Sequence, residues 1–159
     1  MKTGVMRSML AGILLAGSGL AASVATAPAA AALCVANPAE GLWRAQNPNT
    51  RALTRVRVET CASVTTCDGD VCTTRHDAGA FLSVWGKCSP TDCPWGRKPA
   101  QRMTDGWYRS VYPFGFKTSS VWVKTYVYSG RTYLRVYSHN DFTAADGRSD
   151  YTTDEWFVK

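Results

Sequence analysis

Residues 121–128 and 131–138 restrict the possible folds more than any other part of this chain. Both segments alternate in side-chain character, and only Ser129-Gly130 separates them. A two-residue connection ending in Gly favours a tight β-hairpin, because Gly accepts the positive φ that such turns require. With Ser129-Gly130 as the loop, Tyr126 falls opposite Tyr133, Lys124 opposite Arg135, and Trp122 opposite Tyr137. Trp122, Lys124, Tyr126, Tyr133, Arg135 and Tyr137 then share one face of the sheet. Val121, Val123, Val127, Leu134 and Val136 share the other. A slip of one residue would scramble this sorting, so the register is strongly specified.

The remaining punctuation is also that of β structure. Short segments rich in Val, Tyr, Trp and Thr alternate with clusters of Gly, Pro, Asn and Asp. Residues 42–45, 54–59, 80–87, 107–112 and 151–158 read as strands, with a weaker segment at 97–103. In residues 54–59, Thr54, Val56 and Val58 alternate with Arg55, Arg57 and Glu59. Outside the N-terminal segment, no 11-residue window shows the i, i+3, i+4, i+7 apolar spacing of an amphipathic helix. The expected fold is all-β: a small up-and-down antiparallel barrel of seven or eight strands, with a β-sandwich as the alternative.

The N-terminus sets the expected compartment. Lys2 and Arg7 precede an apolar stretch at residues 9–20, followed by a small-residue tract ending at Ala30-Ala31-Ala32. This is the pattern of a cleavable signal peptide rather than a membrane span. Residues 1–32 are therefore expected to be removed, leaving 33–159 as one secreted, extracellular, monomeric domain with no membrane attachment. The first 32 residues hold two of the 18 basic residues and no acidic ones, so the remainder carries a formal +4. That mild charge does not call for nucleic acid as a partner.

All six cysteines, Cys34, Cys61, Cys67, Cys72, Cys88 and Cys93, follow the cleavage site. An even number in an exported domain reads as three disulfides. Spacing favours Cys67–Cys72 around Asp68-Gly69-Asp70 and Cys88–Cys93 around residues 89–92, which leaves Cys34–Cys61. The spacings do not match the usual zinc ligand patterns, so no metal and no cofactor is expected.

Several of these residues together resemble a known pattern: Trp43 with Asn47-Pro48-Asn49-Thr50, then Leu53-Thr54-Arg55-Val56. Residues 85–96 follow as W-G-K-C-S-P-T-D-C-P-W-G, and Phe142, Gly147-Arg148-Ser149 and Phe157 complete it. The chain is similar to an uncharacterised family of small exported bacterial β domains with a W-G-x-C-x-P-x-D-C-x-W-G core. The resemblance covers most of residues 41–159. It departs at Ala45, where the family pattern has Asn. It implies a strand order similar to avidin- and lipocalin-type barrels, and no particular activity.

No catalytic signature stands out. His76 and His139 lie far apart in loop-like sequence, and the remaining acid pair worth naming is Glu59 with Glu155, which would need to face one cleft. Asp68, Asp70 and Asp77 offer too few ligands for calcium. The Cys88–Cys93 loop with Trp95 has two readings: a rigid loop presenting Trp95 to a protein partner, or a stapled turn whose Trp plugs the barrel end. The aromatic and cationic face of the hairpin is the most informative feature. Directly opposed like charges destabilise a sheet, so Lys124 opposite Arg135 points to solvent screening, stacking on the rings or an anionic group between them, with a splayed surface pair snorkelling over aromatic core as the alternative. The expected function is a secreted, non-catalytic binding protein for a small amphipathic or anionic ligand or a glycan. The alternatives are an inhibitor or effector acting on a protein partner, and a hydrolase with an unrecognised site.

Overall fold

The computed structural model describes residues 37–75 and 79–159. They form ten strands: β1 (Gly41–Ala45), β2 (Leu53–Glu59), β3 (Val64–Asp68), β4 (Val71–Arg75), β5 (Ala80–Gly86), β6 (Cys93–Arg102), β7 (Tyr108–Pro113), β8 (Lys117–Tyr128), β9 (Arg131–Phe142) and β10 (Tyr151–Val158). Eight of them close into an antiparallel barrel in the order β1-β10-β9-β8-β7-β6-β5-β2. Each barrel strand thus pairs with its neighbour in the chain, and β10 returns to β1. The insertion β3–β4 forms a separate two-stranded sheet between β2 and β5. The expected all-β barrel is therefore the fold, with eight strands, and the sandwich is set aside.

The hairpin has the register deduced from its turn. Tyr128 pairs with Arg131, Lys124 with Arg135 and Trp122 with Tyr137. Ser129 and Gly130 have φ of 48° and 74°, the left-handed pair that a two-residue turn of this twist uses. Val121, Val123, Leu134 and Val136 point inward and are fully buried. Val127 shares their side by register but is 72 % exposed, because it lies beyond the barrel rim. Both strands run longer than the sequence suggests, each reaching 12 residues. The added residues include Ser119, Ser120 and Asn140, polar side chains that are nevertheless buried.

An eight-stranded barrel has an interior that side chains can fill, and here its central section is filled. Trp43, Val56, Val58, Leu82, Val84, Leu134 and Phe157 are among its buried residues. Each fully buried aliphatic side chain contributes about 1.5–3 kcal/mol relative to exposure. Tyr112 joins them by donating its hydroxyl to the Leu82 carbonyl at 2.8 Å, and burial pushes its phenol above the ordinary range. One barrel end is covered by the turn before β1. There the Trp43 indole donates to the Ala39 carbonyl at 2.7 Å, and the Asn37 amide donates to the Tyr108 hydroxyl at 3.1 Å.

The two local disulfides are present as expected, Cys67–Cys72 and Cys88–Cys93. Cys67 and Cys72 are directly paired residues of β3 and β4. That hairpin is almost wholly exposed, so the staple stands in for the core it lacks. Cys34 lies outside the described residues, as does His76.

The second loop explains the cysteine–tryptophan motif. Asp92 accepts a hydrogen bond from the Thr54 hydroxyl at 2.8 Å, with Arg55 Nε at 3.6 Å and Lys87 Nζ at 3.9 Å, so the loop is docked onto β2. A register shift between Val84 and Trp85 sets Trp95 apart from the ladder. Its indole lies so close to Gly86 that a Cβ there would stand 2.8 Å from the ring nitrogen. The glycine of the first W-G thus makes room for the second tryptophan.

Candidate functional site

The second face of the hairpin lies on the outside of the barrel. The filled interior requires this: the valines and Leu134 point inward, so strand alternation sends Trp122, Lys124, Tyr126, Tyr133, Arg135 and Tyr137 outward. All six are partly exposed. Neighbouring strands enlarge the face. Trp107, just before β7, comes within reach of Arg135, whose guanidinium lies 5.9 Å from its ring. Arg109 from β7 lies over Trp122 at 5.2 Å. Trp156 from β10 is 42 % exposed and meets Tyr126 and Tyr133 edge-on, with ring centroids at 5.4 and 6.4 Å. Trp122 and Tyr137 pack at 5.4 Å.

Two shallow clefts result. One, of about 260 Å³, is lined by Met103, Asp105, Trp107, Trp122, Arg135 and Tyr137. The other, of about 380 Å³, is lined by Gln46, Tyr126, Val127, Tyr128, Tyr133 and Trp156. The rows Trp122/Tyr137 and Tyr126/Tyr133 are four residues apart along the strands, roughly 13 Å at ~3.4 Å per residue.

Each of the opposed cations makes a contact within the protein. Arg135 makes a two-pronged pair with Asp154 of β10, its Nε donating to Oδ1 at 2.9 Å and its Nη2 to Oδ2. That contact holds the Asp154 carboxyl below the usual range. Lys124 Nζ donates to the Asp105 carbonyl at 2.7 Å and lies 5.6 Å from the Tyr126 ring. Arg135 therefore has its counter-charge within the protein, whereas Lys124 rests on a neutral carbonyl and a ring. Asp154 and Trp156 escape a sequence reading because Thr153-Asp154-Glu155-Trp156 shows no clean alternation.

The other candidates are dispersed. Glu59 is on the outer face and pairs with Arg97 at 2.7 Å. Glu155 sits opposite Val136, on the barrel-facing side of β10, beside a cleft formed with residues 47–52. The two glutamates do not share a cleft. His139 pairs with Ser120 and Thr152 on the outward side of β9. Trp95 is partly buried, its ring packing edge-on against Tyr112 at 5.7 Å and Phe114 at 5.1 Å. Among the described residues, no group of three or more His, Cys, Asp or Glu could hold a metal ion, and no helix is long and apolar enough to cross a membrane. The barrel is broadly consistent with calycin-like barrels. Comparison with family models, with curated proteins and with solved structures returned no match.

Proposed function

We propose that residues 33–159 form an exported, non-catalytic binding domain whose outer aromatic face takes an extended saccharide chain. The observation that carries this reading is the pair of tryptophan- and tyrosine-lined clefts on one continuous face, separated by a polar band of Lys124, Arg135 and Asp154. Exposed aromatic surface rimmed by polar groups marks an interaction site, and sugar rings present apolar faces for stacking and hydroxyls for the polar band. Two clefts about 13 Å apart suit a chain of rings better than one compact molecule. The internal pairing of Arg135 favours a neutral chain over a polyanion. A ligand enclosed in the barrel has no support from the filled central section, and an inward-packed Trp95 gives none to a protein partner held by that loop.

The test is calorimetric titration with soluble oligosaccharides of increasing length, using neutral glucans and an anionic uronan. Affinity should rise with chain length until both clefts are spanned. Trp122→Ala and Trp156→Ala should each weaken binding about tenfold or more, the usual scale of a stacked aromatic anchor. The sugar should be recovered uncleaved. Equal binding by wild type and both tryptophan variants would refute the reading, as would recovery of shortened products.

A further inference from the structure

The barrel end opposite the covered one is built differently. Along β8 and β9 the inward pairs change from Val123–Val136 through Val121–Ser138 to Ser119–Asn140, and finally to Lys117–Phe142. Ser119, Ser138 and Asn140 are almost completely buried. Buried polar groups are costly unless hydrogen-bonded, and these are. The Asn140 Oδ1 accepts from Ser119 Oγ at 2.6 Å and from Lys117 Nζ at 2.9 Å, while Ser138 and Thr153 hydroxyls meet at 2.7 Å. Aliphatic side chains would fill this section at less cost, so its polarity calls for another explanation.

Lys117 stands at the top of this ladder. Its ammonium is 4.9 Å from the Trp95 ring, 5.3 Å from Phe114 and 5.7 Å from Phe142. Among the described residues no carboxylate pairs with it: Asp92 is engaged by Arg55 and Lys87, and Asp146 by Arg148. Burial, with Arg148 nearby, pushes the amine below the ordinary lysine range. An ammonium has three N–H donors, and Asn140 is its single hydrogen-bond acceptor in the protein among the described residues. A cleft of about 220 Å³ opens above it, bringing in Arg51, Lys87, Phe116 and Tyr151 and lined by no carboxylate-bearing residue.

We propose that this barrel mouth binds a small amphipathic carboxylate, with the anionic head on Lys117 and Arg51 and the apolar body against Trp95, Phe114 and Phe116. The ligand must be short, because the barrel below Ser138 is closed by Val121, Val123 and Val136. The carboxylate supplies the counter-charge that Lys117 lacks, and the partial burial of that ammonium among aromatic rings makes the charge pair stronger than in open water. The site is separate from the outer aromatic face and does not depend on it.

Phenylacetate and its uncharged isostere phenylacetamide distinguish the possibilities in an amide-resolved NMR titration. Phenylacetate should shift the Trp95 indole N–H and the backbone amides of Lys117 and Asn140 in a saturable way, and phenylacetamide should bind about tenfold more weakly or worse. Lys117→Gln should reduce phenylacetate affinity about tenfold, whereas Arg57→Gln on the exposed side of β2 should not change it. Wild-type protein provides a second readout: phenylacetate affinity should fall as pH rises through the Lys117 titration, while phenylacetamide affinity stays constant. The proposal is overturned by equal affinity for acid and amide, by undiminished binding to Lys117→Gln, by shifts centred on Trp122 and Tyr137, or by no saturable shift at millimolar ligand.

Discussion

The Lys124–Arg135 pair illustrates how a single contact decides the reading of a site. Sequence register placed two cations opposite each other, and the hairpin does so. The partner that neutralises Arg135 comes from β10, across the loop of residues 143–150, where no two-residue turn fixes the register in advance. Asp154 pairs with Tyr137 and so sits diagonal to Arg135. This partly exposed ion pair is worth about 1 kcal/mol at most. Because Arg135 lowers the Asp154 pKa in the folded state, the stabilisation is present above the ordinary carboxylate range and is lost as pH falls through the lowered value. Asp154→Asn should therefore cost up to about 1 kcal/mol near neutrality and nothing at strongly acid pH, where wild type and variant become alike. Urea melts at the two pH values measure this. An equal cost at both would mean that Asp154 acts through packing or neutral hydrogen bonds instead.

At the level of elements, the strands were legible where alternation was clean and obscure where the barrel interior turns polar. Residues 121–128 and 131–138 alternate visibly, so their pairing could be counted out. Lys117, Ser119 and Asn140 extend the same strands inward-facing, but their polarity imitates loop sequence and hides the strand ends. The second cysteine loop shows the opposite case, a motif visible in sequence whose reason is spatial. Gly86 and Trp95 are nine residues apart and interlock across β5 and β6. Gly86→Ala would drive a Cβ into the rigid indole, and overpacking of this kind costs about 1–3 kcal/mol. The cost should shrink when Trp95→Phe is present, because the smaller ring vacates the contact and the two changes are then non-additive. Denaturant melts of the four members of this cycle test the point, and strict additivity would show that the glycine is needed for its backbone alone.

On the scale of the whole molecule, the barrel and its insertion are held by different forces. The barrel closes every strand edge through its own meander and fills its centre with apolar side chains. Among the described residues the β3–β4 hairpin pairs only with itself, and it carries its own disulfide. A chain divided in this way should open locally before it opens globally. Replacing Cys67 and Cys72 together by Ser should thus release the amides of residues 64–75 to fast hydrogen exchange while shifting the barrel's unfolding by about 0.5 kcal/mol or less, as for changes outside the cooperative core. Leu134→Ala, by contrast, removes a side chain from the centre of the barrel and should cost about 2–5 kcal/mol across every barrel strand. Tryptophan fluorescence separates the two, since Trp43, Trp85, Trp95, Trp107, Trp122 and Trp156 all lie outside the insertion. If the paired serine variant lowered the fluorescence midpoint as far as Leu134→Ala does, the insertion would be part of the barrel's folding unit, and the disulfide would stabilise the whole domain rather than its own hairpin.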